Sequence, residues 1–82
     1  MLKEQNIKIE DIYVPVKKRK TLCSESVEQI AESIIEIGQK TPIQVRNDGS
    51  RYVLIEGLHR LEACKALGER SIASYVVQAQ KH

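Results

Sequence analysis

The sequence predicts a small α+β domain in which helices pack on one mixed β-sheet. Short alternating or β-branched runs, typical of strands, occur near both ends of the chain and in its middle. Two longer stretches repeat apolar residues at helical spacing, and each is followed by a glycine. Because 82 residues leave room for one core, we expect a single domain over residues 1–82, with its core at about residues 7–77.

The first half of the chain predicts a strand followed by a helix. Apolar and polar residues alternate over residues 6–10, and the extended character continues to Pro15, which cannot donate to a sheet. Ser24 is expected to cap a helix that ends at Gly38. Its predicted apolar face consists of Val27, Ile30, Ala31, Ile34 and Ile37. Glu28, Glu32 and Glu36 form the opposite face, which we expect to be solvated.

The second half predicts a hairpin, a helix and a last strand. A strand begins at Pro42, an Asp-Gly turn lies at residues 47–50, and the returning strand covers residues 51–55. The helix follows Gly57 and ends at Gly68, and the last strand covers residues 71–77. The predicted order is therefore strand, helix, hairpin, helix, strand, which indicates an α+β layer structure.

The most informative stretch is the junction between the returning strand and the second helix, here called the glycine turn (Gly57, Leu58, His59 and Arg60). Amides in the first turn of a helix lack intrahelical partners and lie at the positive end of the helix dipole. The turn is therefore expected to bind a phosphate, with Arg60 as a bidentate clamp and His59 as a second donor. The alternative is an exposed arginine and a packing histidine that bind nothing.

The charges indicate which partners the chain can contact, and the cysteines indicate the redox compartment to expect. The net charge of +2 does not by itself indicate a nucleic-acid protein, but one run is strongly basic. This basic segment is Lys17, Lys18, Arg19 and Lys20. It is either a salt-dependent phosphate contact or a solvated loop. Cys23 and Cys64 lack metal-site spacing, and no signal peptide or membrane span is recognisable, so we expect a reduced, cytoplasmic protein without a metal site.

Two ordered motifs make the chain resemble the family of the ParB N-terminal domain and sulfiredoxin, which share a fold. The first motif is A-x-S-I-x-x-x-G-x-x-x-P-I-x-V and the second is Y-x-L-I-x-G-x-x-R-x-x-A. The residues that carry them are Ala31, Ser33, Ile34, Gly38, Pro42, Ile43 and Val45, then Tyr52, Leu54, Ile55, Gly57, Arg60 and Ala63. The resemblance covers residues 7–77, and the ParB-like branch is the more similar.

The resemblance implies a ligand and some of its contacts. ParB-type domains bind a nucleoside triphosphate, CTP above all, with Mg²⁺, at a turn that corresponds to Gly57–Arg60 here. Ser33 stands where the family places a helix hydroxyl that reaches the phosphates, and Arg19 or Lys20 corresponds to an arginine of the preceding loop. Leu58 replaces both the acidic residue linked with hydrolysis in ParB proteins and the nucleophilic cysteine of sulfiredoxins. Sulfiredoxin activity is therefore not expected.

From these motifs we expect a nucleotide-binding module that regulates association with DNA or a protein partner, in a process such as chromosome or plasmid partition or transcription. Non-specific DNA contact through the basic segment and a homodimer are both compatible with the sequence, whereas a membrane partner is not expected. The alternative is an enzyme on the same fold, which uses ATP or CTP or cuts DNA. No catalytic residue is predicted, and Glu56 and Glu62 are expected at most to assist a phosphate-bound cation.

Overall fold

The computed structural model describes residues 4–38 and 41–77 of the chain. In chain order, the elements are β1 (Glu4–Lys8), a 3₁₀ helix (Ile9–Asp11), β2 (Ile12–Tyr13), α1 (Val16–Arg19), α2 (Ser24–Ile37), β3 (Ile43–Asn47), β4 (Tyr52–Glu56), α3 (Leu58–Ala66) and β5 (Ser71–Val76). No helix in these ranges has the length and apolar character that crossing a bilayer requires.

The five strands form one mixed sheet in the order β1-β5-β3-β4-β2, which confirms the predicted α+β class. β5 runs antiparallel to β1 and parallel to β3, while β3 and β4 form the predicted antiparallel hairpin. β2 pairs in parallel with the outer side of β4. The central strands carry the most buried side chains, including Val45 and Leu54 at 0% exposure.

The first predicted strand ends earlier than predicted, and the extended run up to Pro15 is divided between β1 and β2. β1 ends at Lys8, and the chain then turns through the 3₁₀ helix, where the Ile9 amide donates to the Arg70 carbonyl at 2.9 Å. Ile7 and Ile9 are nevertheless both buried. The alternation therefore identified the buried side chains correctly, although the strand ends two residues before the alternating run does.

The basic segment, which we expected as a loop, is largely helical. Lys17, Lys18 and Arg19 lie in α1, and the amides of Lys18 and Arg19 both donate to the Pro15 carbonyl. Proline is suited to this N-cap position because its nitrogen carries no hydrogen, so it adds no amide without an acceptor to the start of the helix. The four cations are thus presented on one helical turn.

The helix α2 begins and ends close to the predicted residues. Cys23, and not Ser24, is the N-cap, and its carbonyl accepts from the Val27 amide at 3.1 Å. Gly38 ends the helix with φ +77°, a conformation that favours glycine. α2 packs mainly on α3 and only marginally on the sheet.

The predicted apolar face of α2 is only partly covered. Four of its residues are half-buried: Val27, Ile30, Ala31 and Ile34. Ile37 was predicted to share this face but is 60% exposed, because it lies at the last turn of α2. The prediction for Ile37 was therefore wrong.

The hairpin and α3 follow the sequence signals closely. Asn47 accepts the Gly49 amide on its side-chain oxygen at 2.9 Å, and Gly49 has φ +76°. At the end of α3, the Gly68 amide donates to the Lys65 carbonyl and the Glu69 amide to the Cys64 carbonyl, both at 3.0 Å. This pair of bonds is the Schellman arrangement expected of a glycine just beyond a helix.

Candidate functional site

The glycine turn is fixed by a close contact between Gly57 and Ile43. Gly57 has φ +110°, and a Cβ built on it would lie 2.5 Å from Cγ2 of Ile43. Ile43 begins β3 and is 1% exposed, so it has no free space into which it can move. Only glycine satisfies both the backbone angle and the contact. The start of α3 is thereby held against the start of β3.

Three backbone amides at this turn lack helical acceptors. The first intrahelical bond of α3 runs from the Leu61 amide to the Gly57 carbonyl at 2.9 Å, so the amides of Leu58, His59 and Arg60 precede it. The first turn contains no acidic side chain. The helix end therefore has free donors and partial positive charge, which is the arrangement that binds anions.

Arg60 is half-buried at the turn, and no carboxylate of the described residues forms an ion pair with it. Its positive charge acts on the thiol of Cys64, one helical turn further along α3. Burial raises the pKa of the Cys64 thiol, Glu69 adds to the rise, and Arg60 opposes it. Arg60 and Cys64 lie four residues apart on α3, so the two side chains share one side of the helix.

The structure gives His59 a partner that local sequence could not show. Its Nε2 accepts the backbone amide of Cys23 at 2.9 Å, so the ring joins the start of α3 to the start of α2. A ring that accepts at Nε2 in its neutral form carries its hydrogen on Nδ1. Because Nε2 already accepts this hydrogen bond, Nδ1–H is the atom group of His59 that is left to act as the expected second phosphate donor.

Leu58 contributes its amide, while its side chain is part of the core with 7% exposure. That side chain also forms one wall of a cavity of about 440 Å³. The other lining residues are Ile12, Tyr13, Val14, Arg19, Leu22, Glu62 and Lys65. Of the basic segment, Arg19 is the residue that lines this cavity, while Lys17, Lys18 and Lys20 lie outside the lining.

Ser33 is half-buried on α2, and no hydrogen bond in the described ranges joins its hydroxyl to the glycine turn. The helix that carries Ser33 packs on α3, the helix that begins at the turn. The role that the family resemblance implies for Ser33 remains a prediction.

Cys23 is a feature of the site that sequence reasoning missed. It is exposed at the N-cap of α2, next to the His59 ring. Its pKa is lowered, chiefly by the backbone amide of Ser26, then by the Ser26 hydroxyl and the Glu25 amide. A cysteine just before a predicted helix was the available signal, because helix N-termini stabilise thiolates.

Carboxylates contribute little at the turn. Glu56 is exposed at the end of β4, and Glu62 forms an ion pair with Lys65 at 3.0 Å. Within residues 4–38 and 41–77 no three His, Cys, Asp or Glu side chains lie close enough to hold a metal ion together. A divalent cation at this site would take most of its ligands from a bound phosphate and from water.

Comparison with known proteins identifies relatives of the whole domain. Residues 2–82 match the model of the ParB N-terminal domain family. The chain is 34% identical over 68 residues to the probable chromosome-partitioning protein ParB of Campylobacter jejuni. That match covers 83% of this chain and 24% of the Campylobacter protein, so the chain spans about a quarter of the length of this curated relative.

Solved structures show the same fold. Sulfiredoxin from Arabidopsis thaliana superposes with a TM-score of 0.84 at 26% identity, covering 94% of this chain and 86% of the sulfiredoxin chain. A C-terminally truncated ParB from Caulobacter crescentus, complexed with CTP-γ-S, gives a TM-score of 0.81 at 25% identity. That alignment covers 96% of this chain and 46% of the Caulobacter chain.

Proposed function

Because the chain belongs to the ParB N-terminal domain family, we propose that it binds a nucleoside triphosphate at the glycine turn. We further propose that this binding regulates its association with DNA or with a protein partner. CTP is the first candidate ligand, since the Caulobacter ParB of the same fold is complexed with a CTP analogue. ATP is the second candidate.

The observation that carries the proposal is the Gly57–Ile43 contact. This contact fixes the start of α3, where the amides of residues 58–60 have no helical acceptors. Arg60 lies at the same turn and has no carboxylate partner in the described ranges. Free donors and an uncompensated cation are unfavourable at a helix N-terminus unless an anion binds there. A triphosphate supplies that anion.

The proposed contacts follow from the donors at the site. The amides of residues 58–60 and the Arg60 guanidinium bind phosphate oxygens, and Nδ1–H of His59 donates to one of them. The rest of the nucleotide extends toward the cavity lined by Arg19, Leu58 and Tyr13. Mg²⁺, when bound, neutralises charge on the phosphates.

Binding without turnover is the proposed activity. Leu58 occupies the position where the resemblance places an acidic residue or a nucleophile, and its aliphatic side chain is buried. It provides neither a base for activating water nor a group for accepting a phosphoryl. The nucleotide therefore acts as a regulatory ligand of the domain in this proposal.

Isothermal titration calorimetry tests the proposal directly. CTP, ATP, GTP and UTP are each titrated with Mg²⁺ into the wild-type chain and into Arg60→Ala. We expect one nucleotide to bind in the micromolar range, and we expect Arg60→Ala to weaken its binding about tenfold to a hundredfold, because charge-assisted hydrogen bonds contribute about 1.5–3 kcal/mol each.

Arg70→Ala is the matched control, since Arg70 is exposed in the α3–β5 connection and forms no ion pair in the described part of the chain. It removes the same charge away from the turn, so its affinity should equal that of the wild type. Equal affinity of Arg60→Ala and Arg70→Ala would refute the proposed site. Absence of heat with all four nucleotides would refute the proposed ligand class.

A further inference from the structure

The chain between β2 and α2 makes few contacts with the rest of the domain. Val14 is buried at 4% exposure, but no residue of the stretch that follows, here called the α1 segment (residues 16–23), is buried. α1 itself has no extensive contact with another element of the described ranges. The amides of residues 18–22 all donate to carbonyls three or four residues earlier. These bonds fix the local conformation of the segment but not its position in the domain.

One hydrogen bond joins this segment to α3. The Cys23 amide donates to Nε2 of His59 at 2.9 Å, across 36 positions of the chain. Among the hydrogen bonds of the described ranges, it is the one that joins residues 16–23 to α3 or to the sheet. Cys23 is also the N-cap of α2, so the same bond holds the place where that helix begins. The position of the α1 segment therefore depends on Val14 before it and on His59 at its end.

The two ring nitrogens of His59 differ in their hydrogen bonds. Nε2 accepts, so the neutral ring carries its hydrogen on Nδ1, and no group of the described ranges accepts from it. An acceptor at Nδ1–H fixes this tautomer, because the bond made by one ring nitrogen decides which nitrogen carries the hydrogen. It also makes Nε2 a stronger acceptor, since hydrogen bonds in a chain polarise one another. A ligand at Nδ1–H therefore strengthens the bond to Cys23.

We propose that His59 is a positioning residue through which a phosphate bound at the glycine turn restrains the α1 segment. This inference rests on the proposed nucleotide binding and adds how occupancy of that site acts on another part of the domain. A phosphate oxygen accepts from Nδ1–H and holds the ring, and Nε2 then holds the Cys23 amide. The thiol of Cys23 takes no part, because the contact uses its backbone amide.

The restraint acts on the part of the chain that carries the basic segment. Lys17, Lys18, Arg19 and Lys20 all lie within residues 16–23, and Arg19 also lines the cavity beside Leu58. Nucleotide occupancy therefore determines how firmly these four cations are held. Linkage makes the effect reciprocal, so a contact that holds the α1 segment in this position also strengthens nucleotide binding.

Exchange of the Cys23 amide hydrogen with water, measured residue by residue by NMR, tests the proposal. The wild-type chain is compared without ligand and with CTP or ATP and Mg²⁺, at about pH 8, where histidine rings are neutral. Calorimetry on the same sample establishes saturation. We expect bound nucleotide to slow exchange of this amide about fivefold or more, which is the lower range of measured couplings between sites.

Two conservative variants separate the two nitrogens. The amide of His59→Gln reaches the position of Nε2 but not that of Nδ1, so it can accept from Cys23 without donating to the phosphate. The amide of His59→Asn reaches the position of Nδ1 alone, so it can donate to the phosphate without holding Cys23. We expect slow exchange of the Cys23 amide in His59→Gln and fast exchange in His59→Asn. Nucleotide should slow exchange further in neither variant.

The Ser50 amide is the internal control. It donates to the Asp48 carbonyl in the hairpin turn, at the opposite end of β4 from Gly57, so nucleotide should leave its exchange unchanged. If nucleotide binds but exchange at Cys23 does not slow, the inference is wrong and the proposed function stands. Equal slowing in the wild type and in His59→Gln would also refute the role of Nδ1–H. If no nucleotide binds, the proposed function fails, and this inference fails with it.

Discussion

At the scale of single residues, the contact between Gly57 and Ile43 determines where the start of α3 lies. The positive φ of Gly57 and the 2.5 Å approach act together, since each alone would already disfavour a side chain. Gly49 also has a positive φ but has nothing within 4 Å of its hypothetical Cβ. Substitutions at these two glycines therefore distinguish two effects: backbone strain arises at both, whereas steric contact arises at Gly57 and not at Gly49.

We predict that Gly57→Ala lowers the free energy of unfolding by about 2–4 kcal/mol, the sum of left-handed backbone strain and overpacking against Ile43. Gly49→Ala should cost only about 1–2 kcal/mol, because it carries the backbone strain alone. Urea denaturation followed by circular dichroism measures both. Equal losses would show that the Ile43 contact has no energetic effect.

The hydrogen bond of His59 to Cys23 could not be predicted from the local sequence. The conformation of a glycine before a helix is local, so the turn could be predicted from adjacent residues. The partner of Nε2 lies 36 positions earlier in the chain, at Cys23. Such a contact depends on how α2 and α3 pack, and no local pattern encodes it.

At the scale of elements, α2 has a charge distribution and an N-terminus that affect its chemistry. Glu28, Glu32 and Glu36 repeat at four-residue spacing, and each such like-charge pair destabilises a helix by about 0.2–0.5 kcal/mol. At the opposite end, the amides of Glu25 and Ser26 favour the thiolate of Cys23. The helix thus has a cysteine with a lowered pKa at its N-cap and a row of glutamates along its length.

We predict that Cys23 is alkylated faster than Cys64 at neutral pH. Hydrogen bonds lower the pKa of Cys23, so its thiolate forms at lower pH, whereas burial raises the pKa of Cys64 and keeps it protonated. Iodoacetamide labelling across pH, read by mass spectrometry, gives both profiles from one sample.

Ser26→Ala removes one of the donors to Cys23 and should move its labelling profile to higher pH. The profile of Cys64 should stay where it is, which makes that residue an internal control. If Cys64 reacted as fast as Cys23 in the folded chain, the assignment of the two environments would be wrong.

Element prediction from sequence succeeded where the signal was local. The hairpin was identifiable from Asp48 and Gly49, and the end of α3 from Gly68, because turn and cap geometries depend on a few adjacent residues. The exposure of Ile37 was not predictable from α2 alone. Helical spacing places a residue on a face, but only the extent of the neighbouring helix determines whether that face is covered.

At the scale of the whole molecule, opposite charges are separated onto different helices. Residues 17–20 carry four cations, while α2 carries four glutamates, and the total for the chain is only +2. The net charge alone therefore does not show that the chain has two oppositely charged segments. The basic segment has the charge that favours contact with nucleic acid or phosphate.

We predict that binding to duplex DNA is weak, independent of sequence and dependent on the basic segment. Lys17→Ala/Lys18→Ala/Lys20→Ala should reduce the slope of log affinity against log salt by about 0.9 for each lysine that contacts a phosphate. Anisotropy of a labelled duplex at several salt concentrations measures the slope. Arg19 is left unchanged because it lines the proposed nucleotide cavity.

Lys8→Ala is the control for this measurement, since Lys8 is exposed on β1 outside the basic segment. Its slope should equal that of the wild type. A triple variant with an unchanged slope would show that DNA does not contact residues 17–20.

The position of β5 has a consequence for how the chain folds during its synthesis. Of the strands in residues 4–38 and 41–77, β5 is the last in sequence but lies between β1 and β3 in the sheet, and it is the strand with which β1 pairs. As the chain leaves the ribosome, β1 emerges first and has no hydrogen-bond partner until residues 71–76 follow. Hairpin and helices can form earlier, but the sheet closes only after nearly the whole domain has been translated.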